Sequence, residues 1–370
     1  MGSSWTCGWV LAVALLAAWP DTSRAQDMTP VTLASQAFYG PLRARDLSPF
    51  GFLRLDMRPT FAGSLAPGNW TVEAEFAYQN TWALSASVEQ YLEARGQRRN
   101  LSADDVAAIA ALPGENYLVD LELLTLDVTL HRQISQAWGA YLIVSGVTYG
   151  GDALDGFIEE FHSTFGMSNR GRTTVPRGQI NVLLDLDSVQ TAGLDLRRHD
   201  GVLDPTLGVR YSVAKLPAPW SLALEAAVKL PLGGTREWLS TGRTDYGVQA
   251  SLLRRGSRHA FFSSVALVDY AGSDEELHPG AEIVPTLVFG LDSHLTGRTH
   301  SIVQFYASPS IFGDDETGLD ELNSDKFLVS LGLRHHRGPH LVSFAVTENL
   351  ANYNNTPDVA FQVGYAYRRQ

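Results

Sequence analysis

Residues 70–80, which read WTVEAEFAYQN, decide the class of fold. Apolar side chains occupy every second position from Trp70 to Tyr78, and mostly polar side chains occupy the positions between them. Strict alternation of this kind is typical of a β-strand with one apolar and one polar face. The same pattern returns in LTLDVTLH at 124–131, WSLALEAAVKL at 220–230 and VAFQVGYAY at 359–367. The chain is therefore predicted to be all-β.

The lengths of the alternating segments and of their connections indicate a membrane barrel. The segments run roughly nine to thirteen residues, which is what a tilted transmembrane strand needs. Aromatic residues such as Trp70, Trp138 and Trp220 lie at their ends, as in the interfacial girdles of outer-membrane barrels. Short connections (133–137, 215–219, 254–258, 335–340) alternate with long ones (150–179, 231–244, 271–282, 309–325, 349–357). An antiparallel transmembrane β-barrel is predicted, and a soluble all-β domain is the alternative.

The number of strands follows from counting segments. Thirteen are clear, at 70–80, 117–132, 137–149, 179–187, 206–213, 220–230, 245–254, 259–270, 282–291, 300–309, 326–335, 340–348 and 358–367. An even number is required if both chain ends lie on the periplasmic side. A further crossing at 189–196 gives a prediction of about 14 strands. The alternative is 12, if both segments between Ile180 and Leu196 lie outside the membrane.

The N-terminus has the features of an export signal. An apolar run from Gly8 to Trp19 precedes Ser23-Arg24-Ala25, a small-x-small cleavage site. Residues 1–25 are predicted to be a signal peptide, although no Lys or Arg precedes the run. Its removal takes away Cys7, the only cysteine. Residues 26–69 are expected to form an N-terminal periplasmic segment or a plug in the lumen, and residues 70–370 the outer-membrane barrel.

Composition limits the partners of the chain. A net charge of −12 without a block of Lys or Arg argues against binding nucleic acid through its phosphates. The expected location is the bacterial outer membrane, and the expected partners are outer-membrane lipids and the barrel-insertion machinery. No glycine-rich phosphate loop, cysteine ligand set or calcium loop is present in the sequence, so no cofactor is expected. The oligomeric state is left open.

The polar faces of the predicted strands should line the barrel interior, because charges facing lipid are costly. The predicted lumen-lining residues are Glu73, Glu75, Asp127, His131, Glu225, Lys229, Gln249, Gln304 and Arg334. Glu225 and Lys229 are expected to pair across to Arg334 or Asp127. An acidic lumen would favour cations or neutral solutes over anions.

Two segments read as helices in external loops. Leu101–Leu112 has Ser102 as a plausible N-cap and ends at Pro113. In 153–165 the apolar residues Leu154, Phe157, Ile158, Phe161 and Phe165 share one face, which should pack against the barrel as a plug or lid. Asp155, Glu159 and His162 form a polar stripe. A cation site on that stripe is an alternative, but no metal is expected.

Three segments resemble an uncharacterised bacterial exported family, domain of unknown function 3187. The central one runs from Gly150-Gly151 through Leu154-Asp155-Gly156-Phe157-Ile158-Glu159, Phe161-His162 and Phe165-Gly166 to Gly171-Arg172. The outer two are Gly40-Pro41-Leu42-Arg43 with Ser48-Pro49, and Glu348-Asn349 with Asn355-Thr356-Pro357-Asp358. The resemblance covers about 40–368 and implies an exported barrel of this size. Its loop motif includes Asp155, Glu159, His162 and Arg172, and it implies no substrate.

Two hypotheses about function remain. The first is a channel or transporter for a small or hydrophobic solute. The second is a non-conducting surface protein or an outer-membrane lipid-acting enzyme. The neighbouring His and Ser residues His162-Ser163 and the pair His335-His336 lie in no nucleophile elbow, so no catalytic residue is assigned and an enzyme is not the expectation.

Overall fold

A computed structural model describes residues 40–49, 51–62, 66–187, 190–194, 196, 199–213, 216–233, 238–270, 283–312, 317–351 and 355–368. These belong to one compact unit, Gly40–Gln370. The predicted signal peptide, residues 26–39 and the predicted loop 271–282 lie outside the described residues.

Fifteen strands are formed by the described residues. They are β1 (Trp70–Leu84), β2 (Asn116–Gln133), β3 (Trp138–Tyr149), β4 (Asn181–Asp185), β5 (Gln190–Gly193), β6 (His199–Val202), β7 (Thr206–Ser212), β8 (Trp220–Lys229), β9 (Asp245–Arg255), β10 (His259–Tyr270), β11 (Ile283–Thr296), β12 (Thr299–Ser308), β13 (Lys326–Arg337), β14 (His340–Ala351) and β15 (Val359–Arg368).

Twelve of these strands close into an antiparallel barrel. β1 pairs with both β15 and β2, β2 pairs with β3, and β3 pairs with β7. From β7 to β15 each strand pairs with the next one along the chain. Closure leaves no free sheet edge in the ring. This matters in a membrane because lipid chains cannot form hydrogen bonds with the unpaired backbone groups of an edge strand.

The prediction of 14 strands is not confirmed, and the alternative of 12 fits. The predicted crossings at 179–187 and 189–196 are the short strands β4 and β5, which do not enter the ring. β4 pairs with 116–120, the far end of β2, and β5 pairs with β4 alone among the described strands. β6, which the sequence did not suggest, pairs with 146–149 of β3. Alternation of apolar and polar residues identifies a strand but not its pairing partner. The pairing partner decides whether the strand belongs to the ring that crosses the membrane.

The two faces of the barrel differ in polarity, as the alternation predicts. On β1, Val72 and Phe76 are 38% and 40% exposed, whereas Thr71 and Ala77 are 3% and 1% exposed. The exposed set continues around the ring with residues such as Leu331 and Val363. This apolar outer face suits contact with lipid chains. Among the described residues, no helix is long and apolar enough to span a bilayer.

Short and long connections lie at opposite ends of the barrel. Short ones join β2 to β3, β9 to β10, β11 to β12 and β13 to β14. At this end, called the turn end, Thr71 near the start of β1 faces Arg368 at the end of β15. The opposite end, called the loop end, carries the long connections and four short helices of the described residues: α1 (Ala86–Arg95), α2 (Ala103–Ala110), α3 (Ala153–Phe165) and α4 (Asp320–Asn323).

The helix predicted at Leu101–Leu112 is confirmed as α2. Ser102 caps its N-terminus and forms a reciprocal capping box with Asp105. The Asp105 carboxylate, 1% exposed, also accepts hydrogen bonds from Tyr91 and from two nitrogens of Arg99, at 2.7–2.8 Å. One carboxylate thus ties α1, α2 and the segment between them.

Acid should loosen this loop. Burial by itself raises the pKa of Asp105, but the hydrogen bonds from Arg99, Tyr91 and Ser102 outweigh it and hold the pKa well below its ordinary value. A lowered pKa in the folded state contributes stability above the unfolded value of about 3.9, and that stability is lost as pH falls below it. Amide exchange across 97–112 should therefore accelerate below about pH 4. Asp105→Asn should exchange fast already at neutral pH, and equal exchange in both proteins at pH 7 would contradict this account.

Candidate functional site

The predicted lumen-lining residues all lie on the inner face of the barrel strands. Asp127, Glu225, Lys229, Gln249, Gln304 and Arg334 are buried, and Glu73, Glu75 and His131 are half-buried. Their neighbours along each strand, such as Val72 and Val128, are exposed on the outer face. The inner face is polar in the middle of the barrel, so what satisfies these groups determines whether the lumen is open.

The lumen is occupied by a chain segment, residues 40–62, called here the lumen segment; Phe50 is not described. Its first residues lie near the turn end against β11, β12 and β13. The Gly40 amide donates to Asp292 Oδ2 at 3.0 Å, and the Leu42 amide donates to Gln304 Oε1 at 2.9 Å. Arg334 donates to the carbonyls of Gly40 and Pro41 at 2.9 and 2.6 Å. Backbone groups of the segment thus find partners on the wall.

Asp127 on β2 binds two arginines of the lumen segment. Its Oδ1 lies 3.0 Å from NH1 of Arg45 and 3.0 Å from NH2 of Arg58. The Asp127 side chain is 2% exposed and each arginine side chain 6%. Arg45 also donates to the carbonyl of Phe52. A buried carboxylate between two buried guanidinium groups joins two distant points of the segment to one point of the wall.

Other strands of the wall hold the segment in the same way. The Leu55 amide donates to Asp245 Oδ2 at 2.8 Å, and Lys229 Nζ donates to the Leu53 carbonyl at 3.0 Å. On β13, Lys326 Nζ lies 2.5 Å from Asp46 Oδ2. Arg43 of the segment lies 3.2 Å from Glu73 of β1. The contacts between the segment and the wall therefore involve β1, β2, β8, β9 and β11–β13. The segment therefore spans the lumen.

A small cavity lies beside the segment. It has a volume of about 20 Å³, is bounded by Arg45, Phe52, Asp56 and Lys229, among others, and has room for about one water. Towards the loop end, Phe52 joins an apolar cluster with Tyr149, whose ring centroid is 6.0 Å away, and with Phe312. The lumen segment and this cluster therefore lie across the described lumen.

Two expectations about the lumen are wrong. Glu225 and Lys229 pair with neither Arg334 nor Asp127: Glu225 accepts from Gln249 at 2.8 Å, and Lys229 lies 3.0 Å from Asp245 and 3.5 Å from Asp204. An acidic lumen is also not observed. The inner face carries basic side chains as well as acidic ones. The basic residues that the prediction did not include are Arg210, Arg255, Lys326 and Arg368. Register between distant strands, which no single segment reveals, decides these pairings.

A second polar cluster lies on the outer side of the barrel near the loop end and is called here the rim cluster. Arg172, 4% exposed, binds Asp155 of α3 at 3.0 Å, Asp358 at 2.5 Å and Asn80 of β1 at 2.7 Å. Asn80 donates to Asp155 at 2.8 Å. The cluster joins α3, the 3₁₀ turn at Arg172–Thr174, β1 and the connection before β15.

The rim cluster brings together the central and C-terminal segments that carry the family resemblance. Of the loop-motif residues, Asp155 and Arg172 meet in it, whereas Glu159 binds Arg98 and Arg177 at 2.7 and 2.5 Å. His162 lies half-buried on the same helix. Among the described residues no group of three or more His, Cys, Asp or Glu is arranged to hold a metal ion. Two of the three residues of the polar stripe of α3, Asp155 and Glu159, are buried in ion pairs, so this part of the stripe is not a solvated face.

The apolar face of α3 is divided, contrary to the expectation that all of it packs against the barrel. Leu154 and Ile158 are buried against Val359, Tyr78 and Phe361. Phe157, Phe161 and Phe165 are 54%, 43% and 67% exposed. Leu154 and Ile158 therefore hold the helix on the barrel, while the three phenylalanines of the same face stay uncovered.

Sequence reasoning gave no role to the residues of the lumen segment that bind the wall: Arg43, Arg45, Asp46 and Arg58. It also gave none to Asp292, Lys326, Asn80 and Asp358, although Arg43 and Asp358 lie in the segments that carry the family resemblance. The spacing of Arg43 with Arg45 and of Arg54 with Asp56 and Arg58 places charges at alternate positions. That spacing indicates an extended chain with one charged side. It is the sequence signal from which these contacts could have been anticipated.

Gly247 of β9 offers a steric test of this arrangement. A Cβ atom there would lie 2.7 Å from Met57 Sδ and 3.0 Å from a methyl group of Leu55. Gly247→Leu should displace the lumen segment at a cost of about 1–3 kcal/mol, which raises its exposed fraction roughly ten- to a hundred-fold. The measurement is the rate at which Leu55→Cys, in a Cys7→Ser background, reacts with a membrane-impermeant maleimide.

Gly146→Leu is the matched control, because a Cβ atom there meets nothing closer than the Gly201 carbonyl oxygen at 3.8 Å. Its labelling rate should equal that of the parent. Equal rates in both leucine variants would mean that the lumen segment does not pack on β9.

The fold and the filled lumen define a class: a 12-stranded antiparallel barrel of the outer-membrane type, with its own N-terminal segment inside. The chain belongs to the DUF3187 family, described as a protein of unknown function, whose model matches residues 10–369. The predicted family is thereby confirmed. No curated protein matches the chain in sequence.

Solved structures resemble the barrel. The COG4313 outer membrane channel from Pseudomonas putida F1 has a TM-score of 0.51 at 11% identity, covering 85% of this chain and 100% of that one. A FadL homologue from Pseudomonas aeruginosa has a TM-score of 0.35 at 10% identity, covering 81% and 90%. The toluene transporter TodX from P. putida has 0.38 at 8%, covering 83% and 91%. The first of these shows a shared outer-membrane barrel fold.

Proposed function

We propose that the chain is an outer-membrane channel or transporter for a small or hydrophobic solute, and that displacement of the lumen segment opens it. The single observation that carries the proposal is the nature of the contacts between segment and wall. Carboxylates and bases of the inner face, Asp127 foremost, bind charged and backbone groups of the segment. Such groups can be hydrated when the segment leaves, whereas a packed apolar core could not.

The inner face also has an apolar side, which suits a hydrophobic solute. Ala227, Ala266 and Val268 lie on the inner faces of β8 and β10 and contact Leu55 and Met57 of the lumen segment. Once those two side chains leave, this strip is the surface that an uncharged solute would meet. The shared fold with a protein described as an outer membrane channel agrees with the proposal.

Asp127→Leu tests the proposal, because it removes the shared partner of Arg45 and Arg58. Losing one partner of a buried ion pair costs about 3–5 kcal/mol, so the ratio of open to closed barrels should rise roughly a hundred- to several-thousand-fold. The measurement is single-channel conductance in planar bilayers. The parent should be mostly silent, and the variant should show frequent steps.

Asp104→Asn, an exposed carboxylate of α2, is the control and should behave as the parent. Asp127→Asn should give an intermediate result, because it keeps hydrogen-bonding capacity but not the charge. Silence from Asp127→Leu, with the barrel folded and inserted, would contradict a channel. It would move the search to the external loops and to assays of lipid hydrolysis.

A further inference from the structure

The position of α3 on the barrel leads to an inference about the membrane. Leu154 and Ile158 pack on Tyr78, Phe361 and Val346. These three residues form one row across β1, β15 and β14, because Phe361 is paired with both Tyr78 and Val346. They share the outer face with the exposed residues Phe76, Val363 and Phe344, which form the next row towards the turn end. The helix therefore lies on the lipid-facing side of the wall.

The height of α3 matches the outer boundary of the membrane. Tyr78 is the ninth residue of β1 counted from the turn end. A transmembrane strand uses roughly nine to eleven residues, so α3 begins where the span ends. Rows closer to the turn end leave their apolar side chains exposed, whereas the row of Tyr78, Phe361 and Val346 packs against the helix. The helix thus adjoins the lipid-facing surface of the strands.

The uncovered side of α3 is aromatic. Phe157, Phe161 and Phe165 stack in sequence, with ring centroids 6.2 and 4.7 Å apart. Aromatic side chains of amphipathic helices at membrane surfaces insert at the boundary of headgroups and acyl chains. In contrast, Glu160 on the same helix is exposed and polar.

The helix that carries these phenylalanines is held firmly on its other sides. Glu159 is shared by Arg98 and Arg177, and at about 100° per residue Glu159 lies on the opposite side of α3 from Phe161. The rim cluster fixes the same helix to β1 through Asp155. A rigidly held helix with an uncovered aromatic side is complementary to the acyl chains of lipid.

We propose that α3 is a lipid-docking surface: Phe157, Phe161 and Phe165 insert among acyl chains of the outer leaflet. The occupant is membrane lipid, and the surface extends the lipid-facing band of the barrel. The proposal depends on the outer-membrane location and not on conduction through the lumen.

Depth-dependent fluorescence quenching tests the proposal on the full chain in a Cys7→Ser background. Phe161→Cys carries a fluorophore, with Glu160→Cys as the matched polar control and Val363→Cys as the lipid-facing reference. The vesicles contain phosphatidylethanolamine and phosphatidylglycerol with a spin label close to the headgroup. The label at 161 should be quenched nearly as strongly as that at 363 and several-fold more than that at 160. Aqueous iodide should give the opposite order.

Two results would overturn the proposal. The first is iodide quenching at 161 equal to that at 160 while lipid quenching is absent. The second is protection from both quenchers together with disulfide formation between Cys residues at position 161 of two barrels, which would identify a second copy as the occupant. Heat-modifiable migration on gels confirms that each variant is folded.

Discussion

Deleting residues 40–62 is expected to convert a closed barrel into a conducting one. The parent protein should show almost no current in a planar bilayer, and the deletion variant should show long-lived conductance steps. The reason lies in the geometry of the lumen: the segment contacts inner-face groups from Glu73 on β1 to Arg334 on β13. A cavity beside it holds about 20 Å³, which is room for about one water.

The emptied lumen should remain stable because its polar groups can be hydrated. Asp127 and Asp292 lose protein partners, but in an open channel water replaces them. Barrels of eight strands are filled by their own side chains, and those of sixteen or more leave a channel. Twelve strands leave room that this protein fills with a chain segment. The deletion effect should therefore exceed that of any single substitution in the wall.

Adding the segment back is the control for the deletion. A synthetic peptide of residues 40–62 should block the deletion variant from the side of the turn end. A peptide with Arg45 and Arg58 replaced by Gln should block it weakly, because Asp127 would lack its partners. A deletion variant that inserts and stays silent would mean that the loop-end cluster around Tyr149 closes the barrel by itself.

Arg172→Ala is expected to detach α3 from the barrel. The guanidinium is 4% exposed and binds Asp155, Asp358 and Asn80. Truncation leaves two carboxylates without their cation, at a cost of about 3–5 kcal/mol. Amide exchange across 153–166 should rise about a hundred-fold or more, since 1.4 kcal/mol corresponds to a factor of ten. The strands of the barrel should keep their protection.

The pH dependence of this variant follows from Asp358. Burial raises the pKa of Asp358, and Arg172 opposes that rise. Without Arg172 the pKa should rise further above its unfolded value. A carboxyl group whose pKa is raised in the folded state destabilises the fold at pH values above that pKa. This destabilisation is lost as the pH falls through the raised pKa. Mild acid should therefore partly restore protection of α3 in Arg172→Ala.

Two variants serve as controls for Arg172→Ala. Arg172→Lys keeps the positive charge but not the planar guanidinium group that reaches three partners. Its loss of amide-exchange protection should therefore be smaller than that of Arg172→Ala. Arg177→Ala removes an arginine that is 46% exposed and should cost at most about 1 kcal/mol. Unchanged exchange of 153–166 in Arg172→Ala would contradict the role of the rim cluster.

The strands of the barrel could be predicted because their signal is local. In β1, β2, β8 and β15 a side chain faces either lipid or the lumen, and the pleat forces the choice to alternate. The capping box of α2 is equally local, since Ser102 and Asp105 are three residues apart. The lumen-facing side of each barrel strand followed directly from this alternation.

The lumen segment could not be predicted in the same way. The alternate charges at 43–45 and 54–58 indicate an extended chain but not its partners, which are remote in sequence: Asp127 lies 82 positions from Arg45, and Lys326 lies 280 from Asp46. Which acid meets which base depends on the registers of many strands together. The same holds for the rim cluster, in which Arg172 and Asp358 are 186 residues apart.

The sequence by itself determined an all-β barrel, its inner and outer faces, and the family to which the chain belongs. Tertiary structure alone decided that β4 and β5 stay outside the ring, that residues 40–62 fill the lumen, and that α3 turns its phenylalanines outwards. Alternation and amphipathicity report only how apolar each side of an element is. They do not report which of several apolar surroundings, protein or lipid, that side meets, because both remove it from water equally well.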